Sequence, residues 1–307
     1  MSTNLAEDES LKCCAACGIA EADEIGSDKS QKEHLPEHEQ TCEKERAANN
    51  ELEHGDEILF KQPESSYLGD CPICFLPQPN DPQKTSMMPC CCKIICKGCK
   101  YANMLREVKG SLQLKCLFCR QPTTPKTNEE VTLSLIKRAE ADDPVATCQV
   151  GLRRFKEGNY SSAFELWTKA AEMGDAESHN LLSYLYGEGK GVEKDEEKQI
   201  YHLEKAAIGG HSNARHQLAC LESEVFGREE RAVKHWIIAA KQGDVESMGV
   251  LKICYREGSI SKEDFTAALR GHHAAVGAAK SPQREKARTY MQKLEQIKIA
   301  RQMAERG

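Results

Sequence analysis

Three stretches decide the fold: Lys169-Ala-Ala-Glu-Met-Gly174-Asp175, Lys205-Ala-Ala-Ile-Gly-Gly210-His211 and Ile238-Ala-Ala-Lys-Gln-Gly243-Asp244. Their starts lie 36 and 33 residues apart. Two residues before each start stand Trp167, Leu203 and Trp236, and five before stand Phe164, Ile200 and Val233. A phrase that returns every ~30–40 residues, one helix pair long, indicates stacked helical hairpins, because each unit can bury its apolar face only against a neighbour. Within the first unit, Asp143-Pro144 predicts the start of a helix running from Ala146 to Glu157, with Gly158 as its left-handed stop. Ser161 or Ser162 is the expected cap of a second helix, on which Phe164, Trp167, Ala170 and Ala171 share one face. The alanines allow close helix approach, and the glycine turns the chain into the next unit.

In the second unit the loop is longer and reads Tyr186-Gly-Glu-Gly-Lys-Gly-Val-Glu-Lys-Asp195. That phrase, with the Lys-Ala-Ala ending, resembles the Sel-one-like repeat, a short relative of the tetratricopeptide repeat, over roughly Asp143 to Gly258. The resemblance implies a right-handed α-solenoid that presents a groove to other proteins and carries no catalytic apparatus. The repeats are read as Asp143–Gly174, Asp175–Gly210 and His211–Gly243, with a degenerate fourth from Asp244. A last helix, Gln283 to about Glu305, carries apolar Ala287, Tyr290, Met291, Leu294 and Ile297 and is expected to cap the stack. A partner-binding coiled coil is its sharper reading. His179, His202, His211, His216 and His235 follow no metal-ligand spacing and are read as helix-surface or inter-repeat packing residues. Cys148, Cys220 and Cys254 are read as helical-core thiols.

Upstream lies a different chemistry. Nine cysteines fall between Cys71 and Cys119: Cys71-Pro-Ile-Cys74, Cys90-Cys91-Cys92, Cys96-Lys-Gly-Cys99 and Cys116-Leu-Phe-Cys119. Four ligand pairs, three of them C-x2-C, suit two interleaved tetrahedral zinc ions, leaving one of the triplet spare. Disulfides belong to secreted chains, whereas this one starts Met-Ser-Thr-Asn-Leu-Ala-Glu-Asp-Glu with no basic or apolar leader region. No stretch is apolar for long enough to suggest a membrane span. A thioredoxin-type C-x2-C needs a βαβ setting that the pattern lacks. Reduced thiols and the absence of targeting signals lead us to expect the cytosol or nucleus.

The order of the pairs resembles a RING finger, in the variant whose ligands are all cysteine, over about Tyr67 to Pro125. The resemblance implies a cross-brace. Cys71, Cys74, Cys96 and Cys99 would hold one zinc, and Cys116 and Cys119 the other, with two of the triplet. Cys90 and Cys92 are preferred there, because adjacent thiolates rarely reach one tetrahedral ion; Cys91 is the substitute. No histidine lies between Cys71 and Cys119, which excludes the commoner RING with one histidine ligand. RING ubiquitin ligases dock a charged ubiquitin-conjugating enzyme and catalyse by positioning. The resemblance maps Ile73, Pro122 and Arg120 onto docking positions, with Tyr101, Met104 or Leu105 serving for the family's frequent groove tryptophan. Knuckle packing for Ile73 and simple solvation for Arg120 are the bland alternatives.

Charge divides the chain. Tyr67 to Lys126 carries nine Lys/Arg against three Asp/Glu, which argues mildly against tight docking of a basic conjugating enzyme and mildly for an acidic partner. No aromatics interleave the lysines, so nucleic acid is not the expected partner. The first 66 residues carry 17 acidic and six basic residues, a balance that favours disorder over much of the segment. Cys14-Ala-Ala-Cys17 and Gln31-Lys-Glu-His34-Leu-Pro-Glu-His38-Glu-Gln-Thr-Cys42 resemble the two ends of a MYND zinc finger whose middle is missing. A composite third zinc site from Cys14, Cys17, His38 and Cys42, or a decayed finger keeping its terminal helix from Lys32 to about Leu59, are the two outcomes.

The reading is therefore a multidomain, mainly α protein in which a small zinc-stabilised RING-like α+β module joins a right-handed α-solenoid. Its boundaries are an acidic segment at 1–66, the RING-like module at 67–126, a linker helix at 127–142, the solenoid at 143–280 and a capping helix at 281–307. Two functions fit: a RING-type ubiquitin ligase whose repeats bind substrate, or a non-catalytic scaffold for partner proteins.

Overall fold

A computed structural model describes residues 55–110, 112–113, 115–122 and 127–304. The chain divides into two units, Met1–Leu59 and Phe60–Gly307. Of the first, only 55–59 are described, and these are helical. The proposed composite set Cys14, Cys17, His38 and Cys42 lies outside the described residues.

The second unit begins with an irregular segment that leads into an antiparallel hairpin, β1 (Thr85–Met88) and β2 (Lys93–Cys96), in the register Thr85↔Cys96 to Met88↔Lys93. Helix α1 (Lys97–Lys109) follows directly. A linker helix, α2 (Asn128–Ala139), opens on a capping box between Thr127 and Glu130. Four helix pairs then stack: α3 (Pro144–Lys156) with α4 (Tyr160–Glu172), α5 (Ala176–Glu188) with α6 (Glu196–Ile208), α7 (Ser212–Glu224) with α8 (Glu229–Lys241), and α9 (Val245–Glu257) with α10 (Lys262–Ala278). Helix α11 (Pro282–Ala304) is the last described element. Among the described residues no helix is long and apolar enough to cross a membrane.

The recurring phrase is a helix stop and a helix start written together. At Gly174 the amide bonds to the Ala171 carbonyl (2.8 Å) and the Asp175 amide to the Ala170 carbonyl (3.1 Å). Gly210 and His211 bond in the same way to Ala207 and Ala206, and Gly243 and Asp244 to Ala240 and Ala239. Each is a Schellman motif. Its glycine holds φ of 87, 85 and 91 in turn, a left-handed conformation with little steric cost only for glycine. The next residue then caps the following helix: Asp175 accepts from the Ser178 amide, His211 Nδ1 from Ala214 and Asp244 from Ser247. In the first unit the second helix is capped by Asn159, not by Ser161 or Ser162, since the Asn159 side chain reaches the Ser162 amide at 3.1 Å.

The apolar face read from the sequence is the buried one. Ala163, Trp167, Ala170, Leu182 and Leu185 form one cluster with Cys148, and Ala232, Trp236, Ala240, Leu251 and Cys254 form another. The Trp167 indole donates to the Cys148 carbonyl at 3.1 Å. The five histidines sit between helices. His179 and His202 meet through their Nδ1 atoms at 2.9 Å, His211 Nε2 meets Glu177 at 2.9 Å, and His216 Nδ1 meets the Ser247 hydroxyl at 2.9 Å. His235 packs beside the fully buried Arg215.

One expectation changes. The principal neighbour of α11 is α1 of the cysteine-rich module, with Tyr290 packed on Tyr101 at 4.8 Å. Its buried Ala287 thus serves a contact with the module, whereas the sequence pattern suggested a simple end cap for the stack.

Candidate metal centre

The two outer C-x2-C pairs build the same local turn twice. The Cys71 carbonyl accepts the Phe75 amide (2.8 Å), and the Cys71 amide donates to the Leu76 carbonyl (2.9 Å). The Cys116 carbonyl accepts the Arg120 amide (3.1 Å), and the Cys116 amide donates to the Gln121 carbonyl (2.7 Å). Isolated bridges, Asp70↔Pro77 and Lys115↔Pro122, close both turns. The residue after each second cysteine, Phe75 or Arg120, is forced to φ of 54 or 60. Non-glycine residues rarely accept that conformation, and here it turns both side chains out into solvent.

The hairpin and α1 bring the remaining cysteines to these knuckles. Cys96 ends β2 and caps α1, its sulfur accepting the Cys99 amide at 3.4 Å. Cys71, Cys74, Cys96 and Cys99 place their sulfurs within 4.8 Å of one another, and so do Cys90, Cys91, Cys116 and Cys119. Pairs one and three thus share one group, and pairs two and four share the other. Sulfur separations of 3.9 Å (Cys71–Cys99), 3.9 Å (Cys74–Cys96) and 3.7 Å (Cys91–Cys116) match the edge of a tetrahedron with ~2.3 Å metal–sulfur bonds, which is about 3.8 Å. Both groups can hold a metal ion.

The electrostatics fit the same donor set. Burial raises the Cys71 thiol, but the amides of Cys96, Cys74 and Ile73 outweigh it and bring it down to about 7. Burial likewise opposes ionisation of Cys116, and the Phe118 and Cys119 amides bring it to about 7. Their companions Cys99 and Cys90 are pushed up by burial and by the thiols already beside them. Four thiolates at these distances repel one another until a divalent cation sits among them.

In the second group the structure takes Cys91 where spacing favoured Cys92. The amides of Cys91 and Cys92 both donate to the Met88 carbonyl, and Cys92 adopts φ of 51. This turn aims Cys92 away from the sulfurs and into a cluster with Leu135, Ala146 and Val150. Burial and the nearby Asp143 carboxylate push its thiol up to about 11. The adjacent pair reaches one group because a tight turn, not an extended strand, carries it.

The four docking positions differ in exposure. Ile73 is half-buried against the first thiol group and Leu105 half-buried on α1, while Arg120 and Pro122 are exposed on the second knuckle. Pro122 lines an apolar cavity of about 430 Å³ together with Met87, Tyr101, Met104, Leu117 and Tyr290, so α11 supplies one wall of it. Two residues escaped the sequence reading. Phe75 is 76% exposed beside Cys74, and its signal was its place directly after a knuckle. Arg284 donates to the Pro77 carbonyl (2.7 Å), the Leu76 carbonyl (3.1 Å) and the Cys74 sulfur (3.4 Å). It approaches so closely that a Cβ on Gly98 would lie 2.8 Å from its Cγ. No local pattern announces a contact across 210 positions.

The fold and site define a helical-repeat protein joined to a module with two four-cysteine groups. The Sel1 repeat profile matches residues 148–175, 176–211 and 216–244, so the first three of the four helix pairs are Sel1 repeats. Among curated proteins the chain is 26% identical to the DAP3-binding cell death enhancer 1 of Mus musculus, across 52% of this chain and 39% of that one. It is 24% identical to the Rattus norvegicus protein over the same shares. The chain thus spans about two fifths of the length of these relatives. Among solved structures it is similar to a Sel1 repeat protein from Oxalobacter formigenes, with 24% identity, a TM-score of 0.42, and coverage of 55% of this chain and 70% of that one.

Proposed function

We propose that this protein is a zinc-dependent, RING-type ubiquitin ligase of a reducing compartment, cytosol or nucleus, whose Sel1 repeats hold the substrate. The carrying observation is the interleaving of the two thiol groups, Cys71/Cys74/Cys96/Cys99 with Cys90/Cys91/Cys116/Cys119. That topology is what a cross-braced RING requires, and it is demanding to assemble by chance from two independent knuckles. Bound zinc would cross-link the hairpin, α1 and both knuckles, supplying stability that a module this small lacks on its own. Four protein ligands close each site, so no position is left for an activated water. Catalysis would be positional. Ile73 and the exposed Phe75 would meet an apolar patch on the conjugating enzyme, Leu105 would support α1 beneath it, and the guanidinium of Arg120 would hydrogen-bond across to ubiquitin. Pro122 would form the far edge of that contact.

The test is self-ubiquitylation with a panel of conjugating enzymes, comparing wild type with Ile73→Ala and Cys96→Ser. The expected result is polyubiquitin from at least one pairing, weakened by Ile73→Ala and abolished by Cys96→Ser. Silence across the panel from protein holding two zinc equivalents removes the ligase reading. The second reading, a non-catalytic adaptor, is favoured by the packing of α11 on α1, which takes up part of the helix that a conjugating enzyme would approach.

A further inference from the structure

The segment Phe60–Tyr67 lies along the repeat stack in the manner of a bound peptide. Its Phe60 ring packs on the His235 ring at 4.6 Å, with the Arg231 guanidinium 5.0 Å and the Lys234 ammonium 5.3 Å from its centroid. Its Tyr67 ring stacks on His211 at 4.2 Å. Burial and the nearby Glu177 carboxylate, which also holds His211, push its phenol pKa up. Between these anchors the contacts go to backbone at two helix C-termini. The Tyr67 amide donates to the Gly210 carbonyl (3.2 Å), past the end of α6, and Gln62 reaches the Ile238 carbonyl (3.5 Å) near the end of α8. Both carbonyls also accept from Gln242: Ile238 from its amide (3.2 Å) and Gly210 from its side chain (3.2 Å). The Ser65 carbonyl passes so near Gly210 that a Cβ there would lie 2.6 Å away. Lys61, Gln62, Glu64 and Ser65 themselves face solvent, whereas Phe60 and Tyr67 are half-buried.

Two sockets that take aromatic rings, with hydrogen bonds to backbone carbonyls beside them, are ingredients of peptide recognition. We infer that the sockets at His235/Arg231/Lys234 and His211/Glu177 form a docking surface for a partner segment with two aromatic residues seven positions apart. Residues 60–67 of this chain are its resting occupant. The inference rests on the reading of the repeats as a protein-binding surface and is independent of ubiquitin transfer. A partner competes with a tethered ligand whose middle buries little, so binding in trans is weak until the tether is removed.

The probe is a fluorescein-labelled peptide of residues 60–67, titrated by anisotropy against the full chain. Phe60→Ala/Tyr67→Ala protein is expected to bind it at least tenfold more tightly than wild type. A peptide with alanine at both aromatic positions is expected not to bind. Equal affinity for the two proteins, or undiminished binding of the alanine peptide, overturns the inference. Wild type gives a second measurement that does not depend on the double variant folding. Excess unlabelled peptide should speed hydrogen exchange of the Tyr67 amide several-fold while leaving amides in the middle of α8 unchanged. No change at Tyr67 at saturating peptide is equally fatal.

Discussion

A single missing side chain shows how tightly the stack is built. A Cβ on Gly151, inside α3, would lie 2.4 Å from Nε1 of Trp167, itself 1% exposed. On an open helix, alanine for glycine gains about 1 kcal/mol. Here the indole cannot move without leaving the Cys148 carbonyl, so overpacking outweighs propensity. Gly151→Ala is expected to destabilise the protein by roughly 1–3 kcal/mol in urea unfolding, and a gain in stability would contradict this packing. The cysteine triplet gives a second test at this scale. Cys92→Ser should retain two zinc equivalents by elemental analysis, whereas Cys91→Ser should lose close to one. The roles of Trp167, Ala170 and seven of the nine cysteines were legible because periodicity and spacing encode them. The choice between Cys91 and Cys92 was not legible, because it depends on a left-handed turn that spacing alone does not specify.

At the scale of elements, the recurring phrase was the most readable part of the chain. Ala-Ala-x-x-Gly followed by Asp or His contains a helix end, its left-handed stop and the next cap, all through contacts within about five residues. Local chemistry of that kind survives translation from sequence to structure. Helix α11 illustrates the opposite case. Its pattern of apolar residues fixed a buried face but not the partner of that face, which is α1, far upstream. Arg284 holds the two together with three acceptors on the first knuckle. Arg284→Ala is expected to cost about 2 kcal/mol locally and to raise hydrogen exchange in α11 by about thirtyfold, with the amides of α5 to α8 unaffected. Uniform loosening of the whole protein would show that the contact is not local.

For the whole molecule, buried imidazoles set the response to acid. Burial and the charges of Arg215 and Arg231 push His235 down to about 3, and burial and His179 push His202 down to about 4. The unfolded chain protonates these rings near pH ~6.5, before the folded protein does. Stability is therefore full above about pH 6.5 and falls as pH drops towards 4 and then 3, since the unfolded state binds the extra protons. Urea midpoints at pH 7.5 and 5.0 should show this loss, and His235→Gln should shrink it at equal metal content; a higher midpoint at pH 5.0 would refute the assignment. The division of charge was visible in composition, but the packing of Phe60 and Tyr67 on the repeats was not, since nothing in an acidic leader marks two aromatics as anchors.

The bond between Arg284 and Cys74 spans 210 positions, and this orders biogenesis. A nascent chain leaves the ribosome N-terminus first, so the cysteine module emerges long before its clasp is translated. Helical hairpins can form one after another as they appear, since their contacts are between neighbours. The module must wait, exposing the α1 surface that Tyr290 later covers, and metal delivered during that interval would meet an open form of the site. Closure therefore waits on the synthesis of α11.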